Sequence, residues 1–408
     1  MALSLSLKTL PFDRIYLYLA IAFAFVLPLS RAAVTLFIIL FPLIWLIEGN
    51  LKNKFEQIRA SRLLSVIAIF LLFEFLTITW STDTGQALTE ARMYTYWFAI
   101  FALATSIKKE WVEKIITSFL YGMLISEIFA YLIFFDIYAV NGQSPDYPSP
   151  FMQHIDYSIF LAFTSILLIN RIFSKRYSDK EKLFMFVFFM TVTTNLFIST
   201  GRTGQLAFLV ALLVSTVIHF RFSFKSLLLF TLLGSTLFVG AYKALPLFEK
   251  RVDSAISDIK KFQQGNYSSS WGMRAAFWVI SYDIVKENPL FGVGIGDYKL
   301  AAQEALAKES HQFSKNVIKW CSDNHYHNQY LMILVQSGLT GFALFILIFV
   351  YFYKLPIDEP EIKELSILFT TIYLVSFVAE PLWIKQFPLA LFVLFSSIFI
   401  ASAQTVKK

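Results

Sequence analysis

Long apolar stretches separated by short polar segments dominate the pattern of this chain. Crossing a membrane takes roughly 20 helical residues, and about twelve runs come near that length, the second, fourth and eighth being short. The runs lie near 15–30, 33–48, 63–80, 94–107, 115–135, 157–173, 183–199, 204–220, 225–246, 328–353, 362–380 and 384–402. The pattern therefore predicts an all-α polytopic membrane protein with about twelve transmembrane helices.

Lysine and arginine follow every second span, and such residues are retained on the cytoplasmic side of a membrane. The cations after the even-numbered spans are Lys52, Lys54, Arg59, Arg62, Lys108, Lys109, Lys114, Arg171, Lys175, Arg176, Lys180, Lys182, Arg221 and Lys225. Both termini, with Lys407 and Lys408, are therefore predicted to be cytoplasmic. The loop 171–182 is expected inside and the loop 247–326 outside.

Composition agrees with a membrane environment. Hydrophobic residues make up 57% of the chain and charged residues 15%, which is too little polarity to coat a soluble globule. The net charge of +7 follows from the cytoplasmic loops, so no nucleic-acid partner is expected.

A single cysteine, Cys321, excludes an internal disulfide and any multi-cysteine metal site. The first apolar segment lacks a small-residue cleavage signature and is expected to be a retained anchor.

The predicted organisation is one membrane domain over residues 1–408 that carries one large insertion at 247–326. Within the insertion, an amphipathic helix is indicated by apolar residues at helical spacing, namely Phe248, Val252, Ala255, Ile256, Ile259 and Phe262. A second helix is expected at 270–286, before Asn288-Pro289, and a third after Asp297. The insertion is therefore expected to be helical.

Arg202 lies between two glycines in Ser199-Thr200-Gly201-Arg202-Thr203-Gly204, in a predicted outer turn. Glycine permits a sharp turn and a close approach to a ligand, and a guanidinium presents forked donors that suit a phosphate. The alternative is an interfacial arginine that reaches lipid headgroups.

Arg274 is flanked by aromatic residues, since Trp271, Arg274 and Trp278 share one face of a predicted helix. Aromatic rings beside a cation could stack on it or on a sugar. Tryptophan is, however, also expected at any membrane interface.

The segment Asn288-Pro289-Leu290-Phe291-Gly292-Val293-Gly294-Ile295-Gly296-Asp297-Tyr298 is rich in glycine. No strand precedes it and its spacing is G-x-G-x-G, so it is not a dinucleotide loop. It is interpreted as a flexible loop, either purely structural or with backbone amides near a diphosphate.

His327, at the mouth of the tenth span, is the leading candidate for a catalytic base because imidazole titrates near neutral pH. A structural hydrogen-bonding role is the alternative, and His325 and His154 compete for the same task. No D-x-D or H-E-x-x-H motif occurs, so no metal site is expected.

Glu74 and Glu127 lie inside predicted spans, where a carboxylate is costly. Either could orient an arginine or bond to serine or threonine of a neighbouring helix.

Together these motifs resemble those of the O-antigen ligase family of bacterial membrane glycosyltransferases. The resemblance rests on His327-Asn328-Gln329-Tyr330-Leu331, Gln336-Ser337-Gly338-Leu339-Thr340-Gly341, the Arg202 turn, Arg274 with Trp278, and Asn288-Pro289-Leu290-Phe291-Gly292-Val293-Gly294. It extends over about 190–345 and brackets one large periplasmic loop.

The resemblance implies a GT-C-like protein of the bacterial inner membrane whose active site faces the periplasm. It implies an inverting transfer, without metal or cofactor, of a polysaccharide from undecaprenyl diphosphate to a lipid A core sugar hydroxyl, in contact with membrane lipids. On this chain Arg202 and Arg274 would hold the diphosphate, and His327 would act as base or orient the acceptor, with His325, His154, Glu74, Trp278 and Asn328 as supporting candidates. The developing charge on the leaving diphosphate is where fixed cations help most.

Three other activities remain open at this point. Polymerases that join repeat units and protein O-oligosaccharyltransferases share the motifs, although the latter usually carry a C-terminal region that is not found here. A transporter of lipid-linked sugars would be expected to line a central path with ionisable residues, whereas these candidates collect at one face.

Overall fold

The computed structural model describes residues 10–139, 142–220, 224–244, 246–308 and 313–403, and every regular element within them is helical. Arg221, Lys407 and Lys408, used above for the orientation, lie outside the described residues. The predicted all-α polytopic class is confirmed.

Eleven α-helices precede the insertion. They are α1 (Phe12–Val26), α2 (Arg31–Glu48), α3 (Leu51–Ala60), α4 (Arg62–Leu76), α5 (Thr84–Tyr94), α6 (Phe98–Ser106), α7 (Val112–Phe134), α8 (His154–Phe173), α9 (Asp179–Ile198), α10 (Arg202–Phe220) and α11 (Phe224–Ala244). Short 3₁₀ helices at Thr77–Trp80, Thr95–Trp97 and Lys109–Trp111 extend or join some of them.

Seven more α-helices form the insertion and the C-terminal part. They are α12 (Pro246–Gln263), α13 (Ser270–Glu287), α14 (Tyr298–Ala307), α15 (Lys315–Asp323), α16 (Gln329–Tyr353), α17 (Pro360–Ser376) and α18 (Gln386–Ala403). A 3₁₀ helix at Leu382–Ile384 precedes α18. The three helices predicted in the insertion are present as α12, α13 and α14, and α15 is additional.

Among the described residues, eight helical segments are long and apolar enough to cross a membrane. They are Arg31–Glu48, Arg62–Trp80, Lys109–Phe134, His154–Phe173, Asp179–Ile198, Arg202–His219, Gln329–Tyr353 and Gln386–Ala403. The four remaining predicted spans are also helical, as α1, α6, α11 and α17, with 15, 9, 21 and 17 residues. The protein is thus a multi-pass membrane protein.

The centre of the bundle is packed with aromatic rings around α18, which is buried along nearly its whole length. Trp383, directly before α18, is fully buried and its ring centroid lies 4.7 Å from that of Trp97 and 4.9 Å from that of Phe345. Aromatic pairs at such distances add to the energy of burial. This packing fixes the start of α18 at one end of the bundle, where Lys385 and Gln386 lie.

A kink divides α16 at Gly338, whose φ of 60° and ψ of −162° are not helical. The glycine-rich loop 288–297 fills the notch, because the Leu339 amide donates to the Pro289 carbonyl at 2.8 Å and the Thr340 amide donates to the Leu290 carbonyl at 3.1 Å. A side chain at position 338 would bring Cβ within 2.5 Å of the Leu290 carbonyl carbon. Only glycine fits both the backbone conformation and the space.

The backbone amides of this loop are used inside the protein. Their acceptors are the carbonyl oxygens of Val335 and Gln336 and the hydroxyl oxygens of Thr77 and Ser81, at 2.9 to 3.2 Å from the amides of residues 293–296. Of the two alternatives for this loop, these contacts favour the purely structural role over amides near a diphosphate. The loop is a structural tie between the insertion and the membrane helices.

The insertion has a core of its own, separate from that of the bundle. Its buried members include Phe277 and Ile280 of α13, Ala302 of α14 and Cys321 of α15, and they pack on Met332 near the start of α16. Burial raises the pKa of the Cys321 thiol to about 12, so this cysteine is an unreactive core residue. The insertion is thereby held over the same end of the bundle as Lys385.

Candidate active site

The start of α16 is tied to the segment that joins α17 to α18. Asn328 caps α16, since its side-chain oxygen accepts from the Leu331 amide at 3.0 Å while its amide group donates to the Val378 carbonyl, also at 3.0 Å. The Gln329 amide donates to the Phe377 carbonyl at 2.8 Å. These bonds bring the residue just before the cap, His327, against residues 377–385.

His327 is held in one orientation. Its Nδ1 lies 3.1 Å from Glu380 Oε1, and its ring stacks on Trp320 with centroids 5.2 Å apart and planes 10° apart. Its backbone φ is +47°, and its amide donates to His325 Nδ1 at 3.2 Å. Because an ionised carboxylate only accepts hydrogen bonds, Nδ1 carries the proton of the neutral imidazole, and Nε2 is then the nitrogen that can accept one. This arrangement suits a general base.

Glu380 is fully buried and lies among positive charges. Lys385 Nζ is 3.0 Å from Oε2, and an Arg274 guanidinium nitrogen is 3.9 Å from Oε1. Burial by itself would raise the pKa of Glu380, but the hydrogen bond with His327 and the charge of Lys385 lower it to about 2. The carboxylate is therefore ionised at every physiological pH. Lys385 also lies 3.5 Å from Asp156 of α8.

His325 has a different electrostatic environment from its neighbour. Burial, assisted by the charges of His327 and Lys385, lowers the pKa of His325 to about 4. The ring is therefore neutral near pH 7, as its role as acceptor for the His327 amide requires. His325 therefore supports the backbone of His327 through a hydrogen bond.

His325, His327 and Glu380 also have ligand atoms within 4.8 Å of one another, a spacing that could hold a metal ion. The expectation of no metal was based on the absence of two sequence motifs, and these three residues belong to neither motif. Two cations, Lys385 and Arg274, already lie beside the carboxylate, and they oppose the entry of another positive charge. The cluster is better suited to proton transfer than to metal binding.

A cavity of about 990 Å³ opens beside the cluster. Its polar lining includes His325, the cations Arg31, Arg92, Lys299 and Lys385, and the acids Glu90, Asp156 and Asp323. Its apolar lining includes five residues of α2, namely Ile38, Ile39, Pro42, Leu43 and Leu46. A ligand with a charged end and a long apolar chain fits such a cavity.

Arg202 is exposed at the first residue of α10. Its glycine neighbours bring α10 against α8: the Gly204 amide donates to Ser158 Oγ at 3.1 Å, and a Cβ at Gly201 would lie 2.2 Å from Ser158 Cβ. The glycines thus serve helix packing. The turn thus packs on α8, the helix that also carries Asp156.

The other predicted residues are distributed unevenly. His154 begins α8 with its ring centroid 6.1 Å from that of Tyr147, and its carbonyl oxygen borders Gly201. Trp278 is exposed on α13. Glu74 accepts from Ser337 Oγ at 2.7 Å and so belongs to the kink of α16. His327, His325, Asn328 and Arg274 are thus brought together, whereas Glu74 takes the structural alternative.

Four members of the cluster were not anticipated, namely Glu380, Lys385, Asp156 and Trp320. Glu380 had a usable signal, because it ends the apolar run 362–380 and an ionisable residue at the edge of a span is usually functional or paired. Lys385 lies at the start of the next apolar run, 384–402, and is the natural partner of Glu380. Trp320 has no such signal, since its role depends on how α15 packs.

Comparison with known proteins shows which family this chain resembles. The model of the O-antigen ligase family matches residues 185–346, a segment that contains Arg202, Arg274 and His327. The resemblance predicted from the motifs is confirmed over that segment.

A relative of unassigned function extends the similarity. An uncharacterized protein of Haemophilus influenzae (strain ATCC 51907 / DSM 11121 / KW20 / Rd) is 29% identical over 217 residues, which are 52% of this chain. The match takes in 53% of that protein, so the chain aligns with about half the length of this curated relative.

Proposed function

We propose that this protein is an O-antigen ligase. It transfers a polysaccharide from undecaprenyl diphosphate to a hydroxyl of a lipid A core sugar, with inversion and without metal, in lipopolysaccharide biosynthesis. The observation that carries the proposal is the His327–Glu380 pair beside Arg274, next to a cavity whose lining combines charged residues, Lys385 among them, with apolar residues of α2. A lipid-linked diphosphate has the same two-part chemistry.

The donor lies with its polyprenyl chain along α2 and its diphosphate at the charged residues of the cavity lining. Arg274 and Arg202 bind phosphate oxygens, and Lys385 adds positive charge from the cavity wall. These cations stabilise the charge that develops on the leaving group. Arg202 lies at the start of α10, next to Gly204, which bonds to Ser158 of α8.

His327 takes the proton of the acceptor hydroxyl at Nε2. The hydroxyl oxygen forms a bond to the anomeric carbon from the face opposite the diphosphate, the bond between that carbon and the phosphate oxygen breaks, and undecaprenyl diphosphate leaves with the electron pair. The configuration inverts in this single displacement. Glu380, 3.1 Å from Nδ1, stabilises the imidazolium that forms.

The histidine is tested with purified protein, lipid-linked donor and lipid A core acceptor. His327→Ala should bind donor normally while transfer falls about 10² to 10⁴-fold. The matched control, His325→Ala, should be milder because residue 325 acts through the His327 backbone. Transfer by His327→Ala at the parent rate would refute the assignment of the base. Loss of donor binding would instead assign His327 to binding of the diphosphate.

The ligase reading is separated from a polymerase by deleting the gene in its host and resolving lipopolysaccharide beside lipid-linked glycan on a gel. Loss of the long ladder with accumulation of lipid-linked polymer identifies a ligase. A single-repeat product identifies a polymerase.

The proposed location is the bacterial inner membrane with the site on the periplasmic face. Cysteines introduced at 178 and 266, with Cys321 replaced, test the orientation. An impermeant thiol reagent added from outside should label position 266 and spare position 178, because the cationic loop is predicted to be cytoplasmic. The reverse result would invert the topology and contradict a periplasmic site.

A further inference from the structure

One face of α13 exposes aromatic rings. Trp271, Arg274, Trp278 and Tyr282 recur at intervals of three or four residues and so share a face. Trp278 is 54% exposed and Tyr282 is 69% exposed. The insertion therefore carries a row of large rings on its outer surface.

The fold of the insertion does not depend on this row. The buried face of α13 is formed by Ala276, Phe277, Ile280 and Ile284, which pack into the core of the insertion. Trp271, at the start of the helix, packs edge-on against Phe262 of α12 with centroids 4.8 Å apart. Trp278 and Tyr282 are thus the part of the row most available to a ligand.

The exposed surface of α13 differs from that of α2, the membrane-spanning helix that lines the cavity. The exposed large residues of α2 are aliphatic, namely Leu36, Ile39, Leu43, Leu46 and Ile47. Those of α13 are rings with polar edges, an indole N–H and a phenol O–H, with a guanidinium between them. Such a mixture suits a ligand that has both C–H faces and hydroxyl groups.

Arg274, the second member of the row, lies beside the reacting group. Arg274 lies 3.9 Å from Glu380 Oε1, and the other carboxylate oxygen, Oε2, faces Lys385 of the cavity wall at 3.0 Å. The His327–Glu380 pair therefore has the cavity on one side and α13 on the other. Along the helix axis, Trp278 and Tyr282 lie about 6 and about 12 Å beyond Arg274.

We infer that α13 is the docking platform for the acceptor saccharide, whose sugar rings stack on Trp278 and Tyr282 while the reacting hydroxyl reaches His327. This inference rests on the proposed glycan transfer and names the surface that holds the second substrate. The donor occupies the cavity and the acceptor occupies α13, so the two substrates approach the base from different sides.

Initial rates of transfer to purified lipid A core saccharide, at saturating lipid-linked donor, test the platform. Trp278→Ala and Tyr282→Ala should each raise the KM for the acceptor about 3- to 10-fold, the range expected for one aromatic contact. The kcat and the binding of donor should stay at parental values. Trp278→Phe, which keeps a stacking ring, should restore most of the acceptor KM.

A control residue separates this effect from general damage to interfacial tryptophans. Trp80, half-exposed, packs on Phe73 and Phe291 next to the loop 288–297, and Trp80→Ala should leave the acceptor KM unchanged. An unchanged acceptor KM in both alanine variants of α13 would overturn the platform, and a loss of both variants from membranes in that case would assign the row to the membrane interface. Absence of transfer by the parent protein would instead refute the proposed function.

Discussion

Glu380→Gln is the sharpest test of the reacting cluster because it removes one charge and keeps the shape of the side chain. The amide can still accept a hydrogen bond from His327 Nδ1, which lies 3.1 Å from Glu380 Oε1. It can no longer balance an imidazolium, and Lys385 and Arg274 then face that imidazolium without a counter-charge. The variant should therefore fold and bind donor but transfer slowly.

The expected loss follows from the geometry. Two unit charges 3.1 Å apart attract each other by about 5 kcal/mol at an effective dielectric constant of about 20. The proton is only partly transferred in the transition state, so about half of this energy, about 2.5 to 3 kcal/mol, is felt. That loss corresponds to about a 10²-fold fall in transfer rate.

The assay compares initial transfer rates of parent and Glu380→Gln, with donor binding measured separately. A matched control is Glu364→Gln, which removes a second histidine–glutamate pair, with His219 Nδ1 3.3 Å from Glu364 Oε1. Glu364 lies near the start of α17, about 18 Å along the helix from its end, so its variant should transfer at close to the parental rate. Transfer by Glu380→Gln at half the parental rate or more would refute the role assigned to the carboxylate.

Three further predictions concern the two arginines, the dependence of stability on pH, and the kink in α16. Arg274→Lys and Arg202→Lys should each lose most activity with normal expression, because lysine lacks forked donors; full activity in both would favour contact with lipid headgroups. The pKa of His325 is lowered from 6.5 to about 4 in the folded protein, so its contribution to stability is present above pH 6.5 and lost as the pH falls through 4. Thermal melts should show this loss of stability, at most about 3 kcal/mol, as the pH is lowered. In His325→Asn the stability should depend less on pH. Gly338→Ala should lower the stability by about 3 kcal/mol or more in the same melts, because φ is +60° and Cβ would meet Leu290; an unchanged melting temperature would refute the tie.

The helices were predictable from sequence because apolar runs and lysine clusters are local properties. The same holds for His327 and Arg274, whose chemistry is visible in the residue type and its neighbours. Their partner Glu380 is 53 residues from His327, and the pairing depends on α17 and α18 returning to the start of α16. No local pattern contains that information, although the carboxylate at the end of an apolar run indicated its importance.

The glycines illustrate a second limit. A glycine that allows close approach gives the same sequence signal whether the approaching group is a ligand or another helix. At Gly201 and Gly204 the neighbour is Ser158 of α8, and at Gly338 it is Leu290. Glycine spacing alone could therefore not decide between ligand binding and helix packing, because the partner, rather than the conformation, determines the role.

The tie between the loop 288–297 and distant segments has a consequence for how the protein is made. The amides of Ile295 and Gly296 bond to Thr77 and Ser81, which leave the ribosome more than 200 residues earlier. The notch at Gly338 that receives the same loop, and Glu380 beyond it, are synthesised later. Helices α1 to α11 can enter the membrane first, but the insertion cannot lock in place until α16 has been made. A chain that stops before residue 380 would therefore present cations to lipid-linked substrate without the carboxylate that organises them, and only the finished protein would be competent.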